Sequence, residues 1–307
     1  MKSLSIPSIV KLNNGQDMPR IGLGTAGIKD VAIIVYESIK DGVRLIDTAE
    51  CYENEKEIGE GLTRAINDGI VKREELFIVT KLWVNRKHEA EESIKEQLAS
   101  LNLGYVDLYL DHWPMPIYKS KNGEQKAVPA HKVWRQMEDL VIKGYTRSIG
   151  VCNYNVQSLM DLLSYAKIKP VVNQFEFHPY LNQINLVKYC QANDIQVMAY
   201  NSICRGGYVS KYHSHVNLNL LEEEIIKEMA EKYKTNTGVI ALNWSLSQGL
   251  IVIPSTSNPR RMKENLKALD FEMSAEDIEN IAKLNNGYRF CGSALFKQFS
   301  GGVDVFS

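Results

Sequence analysis

Apolar and polar positions along the chain fall into two alternating rhythms. Short, nearly continuous apolar runs recur near residues 20–25, 44–49, 76–82, 106–112, 146–152, 170–177, 195–200 and 250–254, as expected for strands covered on both faces. Helical patterns lie between them; Ala90 to Leu101 shows the type, with Ile94, Leu98 and Leu101 on one face. Gly42, Gly69, Gly144 and Gly249 stand where such helices should close. Eight strand–helix units in 307 residues predict an α/β fold, a (β/α)8 TIM barrel forming one domain over 1–307. A short N-terminal hairpin is predicted over 7–19, turning at Asn13-Asn14-Gly15. An extra helix is predicted over 274–285, capped by Ser274, with Ile278, Ile281 and Leu284 inward. Three excursions, 113–131, 201–220 and the tail 286–307, leave from or return to the carboxyl rim, where barrel enzymes build specificity.

Composition narrows the partners. Net charge is −1 with both signs mixed along the chain, so neither a nucleic acid nor an anionic membrane is expected. Five cysteines, widely spaced and without a C-x-x-C pair, suit reduced thiols better than a disulfide framework, and no metal site is expected. The N-terminus lacks a long apolar stretch followed by a small-residue cleavage site, and no run reaches membrane-span length. The expected setting is the cytoplasm.

Candidate chemistry gathers at the strand ends. The run Arg44-Leu-Ile-Asp47 ends on a carboxylate and presents Tyr52 five residues later; the third strand ends at Lys81 and the fourth at His112. In a barrel these ends converge on one side of the mouth. A free phenol titrates near ~10, too high for ready proton exchange at neutral pH. An ammonium beside Tyr52 is expected to lower that value, and a carboxylate behind the ammonium to hold it charged. His112 would orient or polarise the oxygen that receives the proton. Taken singly, each residue has a duller explanation: Asp47 as a turn residue, Lys81 as a solvated end, His112 as a satisfied structural group. It is their joint placement that suggests a carbonyl-reducing site. No side chain supplies hydride, so a nicotinamide cofactor is implied.

Gly22-x-Gly24-x-x-Gly27 matches the dinucleotide fingerprint, but the preceding Asp17-Met-Pro19-Arg20 is polar and carries a proline, unlike the buried strand that turn requires. The glycines are expected instead to let the first strand pass close to a ligand. A hydrolytic alternative would pair Glu50 with Glu176, but it leaves Tyr52 and Lys81 without a role.

With these residues in view, the sequence resembles the aldo-keto reductase superfamily over nearly its whole length. The likeness is carried by Gly22-Leu-Gly-Thr25, Asp47-Thr-Ala-Glu-Cys-Tyr52-x-Asn54-Glu55, Thr80-Lys81-Leu-Trp83 and Val106-Asp-Leu-Tyr-Leu-Asp-His112-Trp-Pro114. It continues through Ile149-Gly-Val-Cys-Asn153-Tyr154, Asn173-Gln174-Phe-Glu-Phe-His-Pro179, Ala199-Tyr200 and Ile253-Pro254 with Arg261-x-x-Glu264-Asn265. The resemblance implies NADPH (NADP+) bound across the carboxyl rim, with NADH a weaker alternative, and a small-molecule carbonyl substrate. Tyr52 would be the general acid, Lys81 and Asp47 its tuning pair, and His112 the carbonyl-orienting group. Asn153 and Gln174, with Cys152 beside them, would hold the carboxamide, and Tyr200 would stack on the nicotinamide. Thr25, Asp47, Asn201 and Ser202 would also line the cofactor, while Ser255, Thr256, Arg261, Glu264 and Asn265 would form its adenosine-phosphate end. Ala26, Trp83, His112 and Trp113 would line the substrate pocket. A monomer is the family's common habit. A cofactor-binding regulatory protein with little turnover is the alternative, against which the intact Asp47, Tyr52, Lys81 and His112 argue.

Several positions depart from the family pattern. Cys152 replaces the usual serine beside Asn153, and a thiol is a weak hydrogen-bond donor. Ser255 replaces a lysine that pairs with the adenosine 2′-phosphate, leaving NADPH preference to Arg261, aided by Arg260 and the hydroxyls of Ser255, Thr256 and Ser257. Ala26 stands where many members carry tryptophan and should widen the pocket. Tyr200-Asn-Ser-Ile-Cys replaces a common Tyr-Ser-Pro-Leu, implying a different path for the loop over the pyrophosphate. Asp111 interrupts an apolar strand and, by parity, should face the helices; the sequence offers no reason for it. The tail aromatics Tyr288, Phe290, Phe296, Phe299 and Phe306, with Cys291, form either a flap over the pocket or a plug on the outer surface.

Overall fold

The computed structural model describes residues 5–115, 117–119, 124–204, 216 and 218–291. An antiparallel hairpin, β1 (Ile9–Lys11) and β2 (Asp17–Pro19), opens the chain, as predicted. Eight parallel strands follow: β3 (Gly22–Gly24), β4 (Leu45–Asp47), β5 (Phe77–Leu82), β6 (Val106–Asp111), β9 (Thr146–Cys152), β10 (Val172–Glu176), β11 (Gln196–Tyr200) and β12 (Ile251–Val252). The two sheet edges meet through a parallel bridge between Ile21 and Val252, reinforced by Gly24 N–H donating to Pro254 O at 3.1 Å. That contact closes the barrel.

Strand alternation separates two cores. Leu45, Phe77, Val79, Leu108, Leu110, Val172, Met198 and Ile251 point inward and fill the barrel, with Leu12 and Met18 of the hairpin plugging its floor. The opposite parity, including Ile46, Ile78, Tyr109, Ile149, Val151, Phe175 and Val197, packs outward against the helices. The shell helices include α1 (Val31–Lys40), α2 (Glu55–Asn67), α3 (Ala90–Leu101), α4 (Ala130–Ile142), α5 (Val156–Tyr165), α6 (Ile184–Ala192), α7 (Glu224–Lys232), α8 (Thr237–Leu246) and α9 (Pro259–Leu266). The extra helix is α10 (Ala275–Ala282), with Ser274 accepting from Asp277 N–H. All four closing glycines adopt positive φ.

Two of the fingerprint glycines, Gly22 and Gly24, sit in close packing contacts, whereas Gly27 has nothing within 4 Å. A Cβ on Gly24 would fall 2.7 Å from Ile253 O, and one on Gly22 would fall 2.4 Å from the Leu45 side chain. Glycine is needed where the first strand closes on the last. The excursion after β6 contains a hairpin, β7 (Ile117–Lys119) with β8 (Gln125–Ala127), that the polar sequence did not signal. Much of the 201–220 loop, and with it most of the path proposed over the pyrophosphate, lies outside the described residues, as do Phe296, Phe299 and Phe306. In the described part of the tail, Phe290 is buried against His178 and Tyr288. The backbone N–H groups of Phe290 and Cys291 donate to Glu176 at 3.1 and 2.9 Å. This part of the tail therefore docks into the wall at the end of β10.

Among the described residues no helix is long and apolar enough to cross a membrane.

Candidate active site

Interior parity brings Asp47, Lys81 and His112 to the mouth, at or just past the ends of neighbouring strands β4, β5 and β6. Tyr52 reaches them from a 3-10 turn, Glu50–Tyr52, that begins three residues past Asp47. The arrangement anticipated from the sequence is thus assembled.

Lys81 is fully buried, with Nζ donating to Asp47 Oδ1 at 2.8 Å and to Thr48 O at 2.6 Å. Asp47 Oδ2 accepts from Gln174 Nε2 at 2.7 Å. Burial pushes the Asp47 carboxyl above its ordinary range, opposed by Lys81 and Gln174. The ammonium lies 5.0 Å from the Tyr52 ring centroid. Among the described residues the Tyr52 hydroxyl has no protein hydrogen bond, which leaves it available to a ligand.

One electrostatic expectation is overturned. The Tyr52 phenol lies well above its ordinary value rather than below it, driven first by burial and then by the Asp47 carboxylate. Lys81 Nζ donates instead to Asp47 and Thr48. The phenol therefore holds its proton firmly across the neutral range. His112 is pushed well below the ordinary imidazole value by burial, with Lys81 and Lys87 adding to the effect, so its ring is neutral. Its ring meets Trp83 edge-on at 5.1 Å and Tyr52 at 6.1 Å, and Cys51 Sγ lies 3.8 Å from its Nδ1. Trp83, Val84, Trp113 and Met115 form a separate apolar cluster beside it. Ala26 is exposed at the rim and adds little wall.

Beside this group, side chains from β9, β10 and β11 form a second polar cluster. Asn153, in the left-handed region at φ 63, donates to His112 O at 3.1 Å and accepts from the Tyr200 hydroxyl at 2.8 Å. The Cys152 thiol lies 3.6 Å from Gln174 Oε1, a long contact consistent with a weak donor. Thr25 is tied to Asp47 O at 2.9 Å, Asn201 donates to Glu176 at 2.9 Å, and Ser202 donates to Ala199 O at 3.3 Å. Ser255, Arg260 and Arg261 are exposed and Thr256 half-buried around the amino end of α9, where Asn258 caps the helix, while exposed Glu264 and half-buried Asn265 lie in its last turn. A guanidinium near a helix N-terminus is a donor set suited to phosphate.

Glu50 and Glu176 do not act as a free carboxylate pair. Glu50 is bound to Arg86 at 3.0 Å, and Glu176 to His178 at 3.0 Å and to the tail. Neither is available to attack a glycoside.

Asp111, unexplained by the sequence, is half of a buried ion pair. Lys87 Nζ lies 2.8 Å from Asp111 Oδ1 and 2.9 Å from Oδ2, and the Tyr154 hydroxyl donates to Oδ2 at 2.7 Å. The signal for this was incomplete: the polar residue in an apolar strand was visible, but its partner sits in a turn that no periodicity marks.

Comparison with known proteins agrees with this geometry. The Aldo/keto reductase family model matches residues 20–286. The chain is 41% identical over 298 residues to the 4-dihydromethyl-trisporate dehydrogenase of Mucor mucedo, covering 90% of this chain and 92% of that protein. It is 40% identical over 309 residues to the NAD(P)H-dependent D-xylose reductase I,II of Candida tropicalis, covering 93% and 94%. The crystal structure of a Bombyx mori aldo-keto reductase in complex with NADP superposes with a TM-score of 0.88 at 33% identity, covering 97% of this chain and 98% of that one.

Proposed function

The chain belongs to the aldo/keto reductase family, and from that premise we propose that it is an NADPH-dependent oxidoreductase that reduces an aldehyde or ketone to an alcohol. The observation that carries the reading is the fully buried Lys81–Asp47 pair, 2.8 Å apart beneath Tyr52 and beside a neutral His112.

When bound, the nicotinamide supplies the hydride that reaches the carbonyl carbon. The residues of the chain handle everything else. Tyr52 gives its hydroxyl proton to the carbonyl oxygen as negative charge develops there; an alkoxide is a far stronger base than a phenolate, so a neutral phenol is a competent acid. Lys81 compensates the phenolate left behind, and Asp47 holds that amine in place. His112, being neutral, can donate a hydrogen bond to the same oxygen without competing for the proton. Trp83 and Trp113 hold the substrate in a dry slot. The pH sign follows: reduction, which uses the protonated phenol, stays level across the neutral range, while alcohol oxidation, which needs the phenolate, rises with pH.

The proposal assigns Asn153, Gln174 and Cys152 to the carboxamide and Tyr200 to one face of the nicotinamide ring, so that hydride leaves from the other. Thr25, Asn201 and Ser202 complete that end of the groove. Arg261, with Ser255, Thr256, Glu264 and Asn265, is assigned to the adenosine phosphate. NADPH is preferred and NADH is accepted more weakly. Residues 1–307 are treated as one domain, monomeric and cytoplasmic, a setting that suits the five free thiols.

The test is oxidation of NADPH and NADH against a panel of aldehydes, diketones, sugars and quinones. Turnover with NADPH is expected for at least one carbonyl class; tight NADPH binding with no turnover across the panel would return the reading to a regulatory protein.

A further inference from the structure

We propose that Lys87, Asp111 and Tyr154 form a positioning device that fixes the carbonyl-binding wall, His112–Trp113, from behind; it rests on the carbonyl-reductase reading of the site. Asp111 precedes His112 and, by strand alternation, points the opposite way, into the layer between barrel and helices. There it is 1% exposed and Lys87 is 2% exposed. The lysine comes from the turn after β5, the same turn that begins with Trp83. Besides the carboxylate, its Nζ donates to the backbone oxygen of Trp113. Its own carbonyl accepts from Gln136 of α4 at 2.8 Å, which anchors the turn to the helix shell.

Tyr154 brings in the third wall. Its hydroxyl binds Asp111, its carbonyl accepts from Asn173 at 2.9 Å, and its neighbour Asn153 binds the His112 carbonyl at 3.1 Å. The His112 N–H in turn donates to Leu82 O at 3.2 Å. Both carbonyls and the amide around the imidazole are thus held, and three loops that line the mouth are cross-linked through one carboxylate. The Lys87 charge also contributes to keeping His112 neutral.

Stability alone is a poor reason for such a pair. Removing two charges from water costs as much as their attraction returns, and well-packed apolar replacements are often neutral or stabilising. What apolar residues cannot reproduce is direction: three fixed hydrogen bonds and an ion pair that set the angle of one loop. Lys87, Asp111 and Tyr154 are positioning residues, since none is placed to touch substrate.

The experiment is the double variant K87M/D111L, which removes both charges at similar volume. Melting temperature is expected to stay level or rise, and the NADPH dissociation constant to stay within about twofold. KM for the best carbonyl substrate is expected to rise about tenfold with kcat changing far less, because the oriented partner of the carbonyl has lost its fixed angle. In parallel, the His112 imidazole is followed by NMR in the cofactor-free protein. One sharp set of ring signals is expected in the wild type, and broadened or doubled signals in the variant. A folded variant with wild-type KM and one sharp His112 set overturns the proposal. Should the wild type turn over no carbonyl, the NMR arm still decides whether the ring is held by this network. Should the double variant fail to fold, Tyr154→Phe, which deletes one hydroxyl, is expected to broaden the same signals, and unchanged signals there overturn it.

Discussion

Two lysine–aspartate pairs are buried within the same barrel, Lys81–Asp47 and Lys87–Asp111, each closed at 2.8 Å. Their lysines sit six residues apart and their aspartates end β4 and β6, the two strands that flank β5, yet they face opposite ways. Asp47 and Lys81 occupy inward positions at the mouth, under a tyrosine whose hydroxyl has no hydrogen-bond partner among the described residues. Asp111 lies on the outward face, where its Oδ2 accepts from both Lys87 and Tyr154. The two groups of the pair are the same in both places; strand parity decides which one faces the mouth and which one faces the helices. A buried ion pair is therefore informative only together with the direction it faces and the groups left unsatisfied beside it.

Breaking the inward pair should have the largest effect. Lys81→Met leaves Asp47 buried without its cation, a loss on the order of 3–5 kcal/mol of stability. It also strips compensation from the Tyr52 phenolate, so kcat should fall by about 10²–10⁴-fold. Thermal melts and steady-state kinetics check both. A fall in stability with kcat preserved would make the inward pair as structural as the outward one.

A third buried acid sharpens the contrast because, among the described residues, no cation is paired with it. Glu55, on the first turn of α2, accepts from Thr80 Oγ1 at 2.6 Å, and burial raises its carboxyl to about 7. Its folded value lies above the unfolded one, so the stability it confers is full below about pH 4.5 and is lost as pH rises through 7. Glu55→Gln should therefore melt increasingly above the wild type as pH rises from 5 to 8, by up to about 3 kcal/mol. Parallel melting curves across that range would show that the acid is not raised.

Two smaller effects concern the cofactor. Arg261→Ala should weaken NADPH by about 1–3 kcal/mol, the worth of a charged hydrogen bond, while leaving NADH nearly unchanged. Equal losses for both would move the phosphate contact elsewhere. Cys152→Ser replaces a weak donor 3.6 Å from Gln174 with a stronger one and should tighten NADPH by roughly 0.5–1.5 kcal/mol, read by fluorescence titration.

Much of this was legible from residue pattern. Eight apolar runs marked eight strands because parallel strands are buried on both faces, and Asp47, Tyr52, Lys81 and His112 stood out because a charge ending such a run needs a reason. What the pattern could not carry was competition between effects. The Tyr52 phenol was expected to fall beside an ammonium, but burial and Asp47 outweigh a cation already engaged twice. For Gly22 and Gly24 a motif records spacing and not what lies opposite; opposite them lie Leu45 and Ile253. Lys87 went unnoticed because a turn has no periodicity to violate, whereas Asp111 was visible as an interruption without its partner.

The account stands on Tyr52 as the proton donor, and Tyr52→Phe addresses it with the loss of one oxygen. NADPH should quench and saturate as in the wild type, while single-turnover reduction of the best carbonyl substrate falls by about 10²-fold or more. Reduction at close to the wild-type rate with the phenol gone would contradict the account.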